Sequence, residues 1–235
     1  MPNLHVLSAG AAQSLIETLQ QEFAAGDGIE IRASFHPVGA TMEKLLAGEP
    51  CDVVVLTAAL LDELAQGGDV VPESIAPLGR VHTAIAVRQG DAVPDVSTAA
   101  ALRRLFLAAD AIYLPDVERS TAGAHCAAVL RSMGIGAETA PKLRQGSNGA
   151  AAMRELAHSR AVHPVGCTQV TEIAFTPGVT LVGPLPAEIQ NDTVYAAGLG
   201  AQAKESDAAK ALIKALTGPA AAEVLKSKGM EPAGS

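Results

Sequence analysis

The chain has 235 residues, enough for one large domain or two lobes of roughly 100 residues each. Hydrophobic residues make up 49% of it and aromatic residues only 3%, with no Trp, so the core must be built from Ala, Val, Leu and Ile. Seventeen basic and 25 acidic residues leave a net charge of −8, which excludes a basic nucleic-acid face, and the hydrophobic content excludes a disordered chain.

Short apolar runs alternate with helical patterns, which predicts parallel strands with crossover helices. Leu4–Ser8 reads as a strand, followed by a helix with Leu15, Ile16, Leu19 and Phe23 on one stripe, ended by Gly26-Asp27-Gly28. Ile29, Ile31, Ala33 and Phe35 alternate as a second strand. Gly39 opens a short helix with Met42, Leu45 and Leu46 inward. Asp52–Thr57 is a buried strand, Ala58–Gln66 a helix and Val81–Arg88 a long strand. A helix carries Leu102, Leu105 and Phe106; Ala111–Leu114 is a strand; Ala122–Met133 is a helix ended by Gly134. Gly146-Ser147-Asn148-Gly149 precedes the helix Ala150–His158. Ala161–Val165, Val179–Val182 and Asp192–Leu199 read as strands, and the helices Ala203–Leu216 and Ala220–Ser227 close the chain.

Cys51, Cys126 and Cys167 are odd in number and widely spaced. They form neither a disulfide framework nor a CxxC zinc pair and read as small buried hydrophobes. There is no HExxH, no nucleophile elbow, no Walker loop and no GxGxxG after a strand, so no metal and no cofactor are expected. The uncharged run Ile173–Ala187 is broken by Pro177, Gly178, Gly183, Pro184 and Pro186, so no membrane insertion is expected. Met1 leads at once into the first strand without a basic segment or a cleavage site. The expected compartment is the cytoplasm if Met1 is the natural start and the periplasm if a leader has been removed.

The order of elements and several local motifs resemble the type II periplasmic substrate-binding proteins, closest to the molybdate-binding-protein-like branch. The matching pieces are Leu7-Ser8-Ala9-Gly10-Ala11-Ala12, Pro37-Val38-Gly39-Ala40-Thr41, Cys51–Val55, the hinge-like strand Val81–Arg88, Arg119–Gly123, Val165–Ile173 and the tail Gly218–Pro232. The resemblance implies an α/β fold of two Rossmann-like lobes with mixed central sheets, joined by two crossing strands. It places 1–79 plus 191–235 in one lobe and 80–190 in the other, with the ligand in the cleft between them. It also implies a small anionic ligand and an ABC-type membrane permease as partner.

Turns that precede helices point backbone N–H groups at an incoming anion. The ligand-binding candidates are Gly10, Ala11, Gly39, Ala40, Thr41 and Thr57 from the first lobe. The second lobe offers Arg119, Ser120, Thr121, Ser147, Asn148 and Thr168, with Arg144 and Gln145 beside the Ser147 loop. The family's molybdate binders use serines in the first two turns and a tyrosine late in the second lobe. Here those places read Gly10-Ala11-Ala12, Pro37-Val38 and Gly166-Cys167-Thr168. A tetrahedral oxyanion would lack hydroxyl donors there, which favours an organic carboxylate with an apolar part. A solute-binding role is favoured over catalysis. The alternatives are a cytoplasmic isomerase or tautomerase of a small carboxylic acid, with His36 and Cys167 as proton carriers, and a metabolite sensor.

Overall fold

The computed structural model describes residues 3–26 and 29–233, the side chains of 22–26 excepted. The Phe23 side chain, the Asp27-Gly28 stop and the chain start at Met1 lie outside the described residues. In chain order the first elements are β1 (Asn3–Ala9), a 3-10 turn (Gly10–Ala12), α1 (Gln13–Gly26), β2 (Glu30–His36), α2 (Val38–Leu46), β3 (Val53–Thr57) and α3 (Ala58–Gly67). Next come β4 (Ala76–Arg88), α4 (Ala99–Ala108), β5 (Ala111–Pro115), α5 (Thr121–Ser132), α6 (Gly136–Thr139), β6 (Leu143–Gly146), α7 (Gly149–Ala157), β7 (Pro164–Gln169) and α8 (Val170–Phe175). The chain closes with β8 (Val179–Pro184), β9 (Asp192–Leu199), α9 (Ser206–Leu216), α10 (Pro219–Ser227) and β10 (Met230–Pro232). These elements form two compact units, Met1–Val81 with Thr193–Ser235 and His82–Asp192, and the chain passes between them within β4 and at the start of β9.

In the first unit β2, β1 and β3 run parallel in that order, and β9 adds antiparallel to β3. Val53, Val54, Val55 and Leu56 are all fully buried, the pattern of a central strand covered by helices on both faces. The covers are amphipathic: Leu15, Ile16 and Leu19 of α1, Leu61 and Leu64 of α3, and Ala209, Leu212, Ile213 and Leu216 of α9 face the core. Each large aliphatic side chain buried this way contributes about 1.5–3 kcal/mol. One expectation fails in α2. Val38, Thr41, Met42 and Leu45 take the inward stripe, and Leu46, about 100° further round the helix, is 53% exposed.

In the second unit β6, β5 and β7 are parallel, and β4 pairs antiparallel with β7 and β8. Successive residues of β4 feed opposite faces of this sheet. Ile85 packs with Leu102, Phe106, Ile112, Leu114 and Val129, whereas Ala84 and Ala86 pack with Met153, Leu156 and Ile173. The strand expected over Ala161–Val165 starts instead at Pro164 and runs through Gly166 and Cys167 to Gln169. Gly166 sits inside the strand because Met153 and Leu156 of α7 occupy the space its side chain would take. The short elements β6, α8 and β10 were not expected from the sequence.

A single carboxylate ties the first unit together across long sequence separations. Asp52, 3% exposed, accepts the His5 N–H at 2.8 Å on Oδ2 and the Lys204 and Glu205 N–H groups at 2.8 and 3.1 Å on Oδ1. Its own N–H donates to the His5 carbonyl at 2.8 Å. β1, the start of β3 and the turn before α9 therefore share one anchor. Asp52→Ala leaves three backbone donors without their acceptor and is expected to cost about 3 kcal/mol in urea unfolding, with Asp52→Asn losing less. A loss within the error of the measurement contradicts the anchoring role.

Candidate ligand-binding site

Parallel strands deliver the helix starts that follow them to one edge of their sheet. In the first unit Ala9 of β1 is in register with His36 of β2, and Ser8 of β1 with Val55 of β3. The carboxyl ends of the three strands therefore bring Gly10, Ala11, His36, Gly39, Ala40 and Thr57 to that edge. The 3-10 turn follows Ala9 and α2 follows Pro37, and neither start is capped by a side chain. Their first-turn N–H groups are of the kind that bind anions, at the end of a helix carrying about half a positive charge.

The hydroxyls of this edge point elsewhere. Ser8 donates to the Ala9 carbonyl at 2.9 Å. Thr41, fully buried within α2, donates to the Pro37 carbonyl at 3.1 Å, so it offers a ligand no hydrogen. Thr57 caps α3 by accepting the Leu60 N–H at 3.4 Å, which leaves its hydroxyl hydrogen for another partner. His36 is half-buried. Burial first and the Lys44 ammonium second hold its pKa below the ordinary histidine value, so the ring is the neutral base near pH 7.

In the second unit Pro115 of β5 is in register with Gly146 of β6, and Tyr113 with Gly166 of β7. Their carboxyl ends bring Ser120 and Thr121, Ser147 and Asn148, and Thr168 to one edge. Ser120 caps α5 by accepting the Gly123 N–H at 3.4 Å. Gly123 is required there, because a side chain would strike the Pro115 and Asp116 carbonyl oxygens. Asp116 Oδ1 already takes the Glu118 and Arg119 N–H groups at 2.8 and 3.0 Å, so the donors left at this turn begin at Thr121. Arg119 is exposed. Arg144 is turned onto the Pro141 and Leu143 carbonyls, both at 2.9 Å, and Gln145 accepts the Val117 N–H at 3.0 Å.

Asn148 caps α7, its Oδ1 accepting the Ala151 N–H at 2.8 Å; Ser147 beside it is exposed. Thr168 lies inside β7 rather than after it, fully buried, and donates to Glu172 Oε2 at 2.6 Å. Glu172 was not singled out in the sequence. It is a buried carboxyl whose Oε1 accepts the Gly149 N–H at 3.1 Å, and burial pushes its pKa up. The available signal was one acidic residue inside the apolar run Val170–Phe175. His82 lies in β4, the strand expected for it, with its Nδ1 2.7 Å from Asp192 Oδ1.

The cysteine expectation is corrected. Cys126 of α5 and Cys167 of β7 form a disulfide with their Cα atoms 6.5 Å apart, inside the normal range. Only Cys51 is a free thiol, and burial pushes its pKa up to about 12. Cys167, expected as a proton carrier, has no titratable thiol in this state. The bond ties the helix that starts at Ser120 and Thr121 to the strand that carries Thr168.

Cavities also lie away from these edges, among them one of about 360 Å³ lined by Val96, Ser97, Val182 and Leu185. Another, of about 440 Å³, is lined by Val87, Pro94, Leu105, Val162 and His163 at the amino ends of β5 and β7. It has the largest volume of these but lacks helix starts and is mainly apolar. A further one, about 260 Å³, is lined by Glu49, Cys51, Asp69 and Lys204. Among the described residues no group of three or more His, Cys, Asp or Glu can hold a metal ion, and no helix is long and apolar enough to cross a membrane.

The family described as bacterial extracellular solute-binding protein matches residues 4–231. An aconitate isomerase from Pseudomonas sp. is 26% identical, with 97% of this chain and 87% of that protein covered. The periplasmic molybdate-binding protein of Azotobacter vinelandii superposes with a TM-score of 0.77 at 18% identity, over 97% of this chain and 98% of that one. The sulfate-binding protein of Mycobacterium tuberculosis gives 0.76 at 16% identity, over 100% and 88%. These structures share the type II periplasmic-binding-protein fold that the resemblance implied.

The disulfide makes a direct prediction. The unfolded, unreduced chain should titrate one thiol and the reduced chain three. With a sequence separation of 41 between the two cysteines, loop entropy gives the bond about 4 kcal/mol of stability, which Cys126→Ser should remove. Three thiols without reductant contradicts the pairing.

Proposed function

The chain belongs to the bacterial extracellular solute-binding protein family, and from that premise we propose that it binds a small organic carboxylate, in preference to molybdate, tungstate or sulfate. The observation that carries this reading is the first unit's donor edge. Its two helix starts lack capping side chains, and the Ser8 and Thr41 hydroxyls donate inward. The edge therefore presents backbone N–H groups beside apolar Ala11, Pro37 and Val38, with Thr57 as its hydroxyl. A tetrahedral oxyanion stripped of water needs a donor for each of four oxygens, and each missing one is costly. A single carboxylate group needs fewer, its hydrocarbon part suits the apolar neighbours, and any further carboxylate of the same ligand can keep its water. Hydrogen bonds to such a charged group are worth about 1.5–3 kcal/mol each.

In this reading Ser120, Thr121 and Ser147 are further donors on the second unit's own edge, and the protein delivers its ligand to an ABC-type permease. The Cys126–Cys167 disulfide supports an oxidising compartment, since such bonds are rare in the cytoplasm. A second reading, isomerisation of an unsaturated carboxylic acid, is favoured by the similarity to the aconitate isomerase. Moving a double bond along a carbon chain requires a proton to leave one carbon and return to another. Neutral His36 is the group on the first edge able to take it.

Calorimetry with cis- and trans-aconitate, molybdate, tungstate and sulfate tests the first reading. Micromolar or tighter binding of an aconitate, with none of the oxyanions, is expected. Tight molybdate binding with no response to organic acids sinks it. Nuclear magnetic resonance of the same mixtures, in deuterated water, tests the second. Turnover that falls about 100-fold in His36→Ala, with binding kept, supports it; no deuterium exchange by the wild type removes it.

A further inference from the structure

We propose that Glu172 is the positioning residue of the second unit's donor edge, and that a proton is taken up there when an anion binds. The proposal rests on the anion-binding reading above. Three donors converge on this carboxyl: the Gly149 N–H at 3.1 Å, the Thr168 hydroxyl at 2.6 Å and the Gln169 N–H. Gly149 is the first residue of α7, so its N–H is one of the donors the Ser147-Asn148 turn would offer a ligand. Asn148 Oδ1 takes another, that of Ala151. Gly149 has no room for a side chain, because a Cβ would strike the Glu172 carboxyl and Thr168 Oγ1. The start of α7 thus already faces an anion that belongs to the protein.

A second anion at Ser147 and Asn148 would sit beside that carboxylate, and like charges at close range in a buried site disfavour each other strongly. The charged groups on the elements packed against α8 are engaged elsewhere: on β4, Arg80 faces Glu231, His82 faces Asp192 and Arg88 is held by Asp91 and the Ser159 carbonyl, and Tyr113 of β5 donates to Ser159. On α7, Arg154 and Glu155 are both exposed; on β7, Cys167 is in the disulfide; β8 has no titratable residue. Burial already favours the neutral acid. Protonation from solvent removes the like charge and reverses one hydrogen bond. The new carboxyl O–H donates to Thr168 Oγ1, the Thr168 hydrogen is released to turn elsewhere, and the other carboxyl oxygen still accepts the Gly149 N–H. The edge loses a negative charge at the moment an anion arrives.

Calorimetric titration of the full chain with trans-aconitate, in buffers of different ionisation enthalpy, tests the linkage. Between about pH 7 and about pH 8 the ligand's own carboxylates are ionised, its last one titrating above an isolated carboxyl because of its charged neighbours. The wild type should take up close to one proton per ligand, and its affinity should fall by up to about ten-fold per pH unit. Glu172→Gln mimics the neutral acid, its amide oxygen accepting from Gly149 and its amide N–H donating to Thr168. It should bind with no uptake and a flat pH profile. Flat, uptake-free binding by the wild type overturns the proposal and leaves the carboxylate reading standing. So does uptake that persists in Glu172→Gln. If that variant fails to fold, the ¹³C carboxyl resonance of Glu172 in the wild type decides: it should move to the protonated position on adding ligand, and an unmoved, ionised resonance overturns the proposal. If sulfate or molybdate binds and trans-aconitate does not, the carboxylate reading falls and the same proton count, with that anion, still tests Glu172. A folded wild type that binds none of these anions overturns the reading and the proposal together.

Discussion

Every helix starts with backbone N–H groups that have no acceptor inside the helix, and the structure depends on how each start finds one. Thr57, Thr98, Ser120 and Asn148 cap α3, α4, α5 and α7 with their own side-chain oxygens. Asp52 serves the turn before α9, and Glu172 serves α7 from a different element. The starts after β1 and β2 have no capping side chain. The starts of α8 and α10 also lack one, but those after β1 and β2 are the pair that the parallel run of β2, β1 and β3 brings to one sheet edge.

The same logic reconciles an acidic protein with the proposed acidic ligand. A net charge of −8 acts at long range, where salt screens it within about 8 Å. Recognition acts at hydrogen-bond distance, where unpaired donors and a half-positive helix end outweigh distant carboxylates. The charge that matters is local, and Glu172 is the clearest case. It is buried against the very donors an anion would use, so its protonation state rather than the net charge governs the second unit's edge.

Much of the fold was legible because long apolar runs and helical stripes carry their own period. Asp192–Leu199 was read with its observed bounds, since it is a short apolar run followed by Gly200. The failures have physical causes. β6 is a short edge strand with exposed Arg144 and Gln145 and no alternation to detect. α8 has six residues, too few to show a 3.6-residue repeat. β7 was misplaced because Gly166 reads as a turn, whereas packing from α7 makes a glycine necessary inside the strand. Helix-start loops such as Ser120-Thr121 and Ser147-Asn148 were visible locally. The Cys126–Cys167 bond and the Thr168–Glu172–Gly149 network were not, because they join elements that only the folded sheet brings together.

The central claim is that first-turn amides of uncapped helices hold the ligand's charged group. Amide ¹H–¹⁵N chemical shifts of the full chain, followed while a carboxylate such as trans-aconitate is added, test it most directly. The account predicts the largest shifts at the N–H groups of Gly10, Ala11, Gly39 and Ala40, which follow the two uncapped starts of the first unit. Shifts confined to the apolar cavity around Val87, Leu105 and Val162, with those amides unmoved, would contradict it.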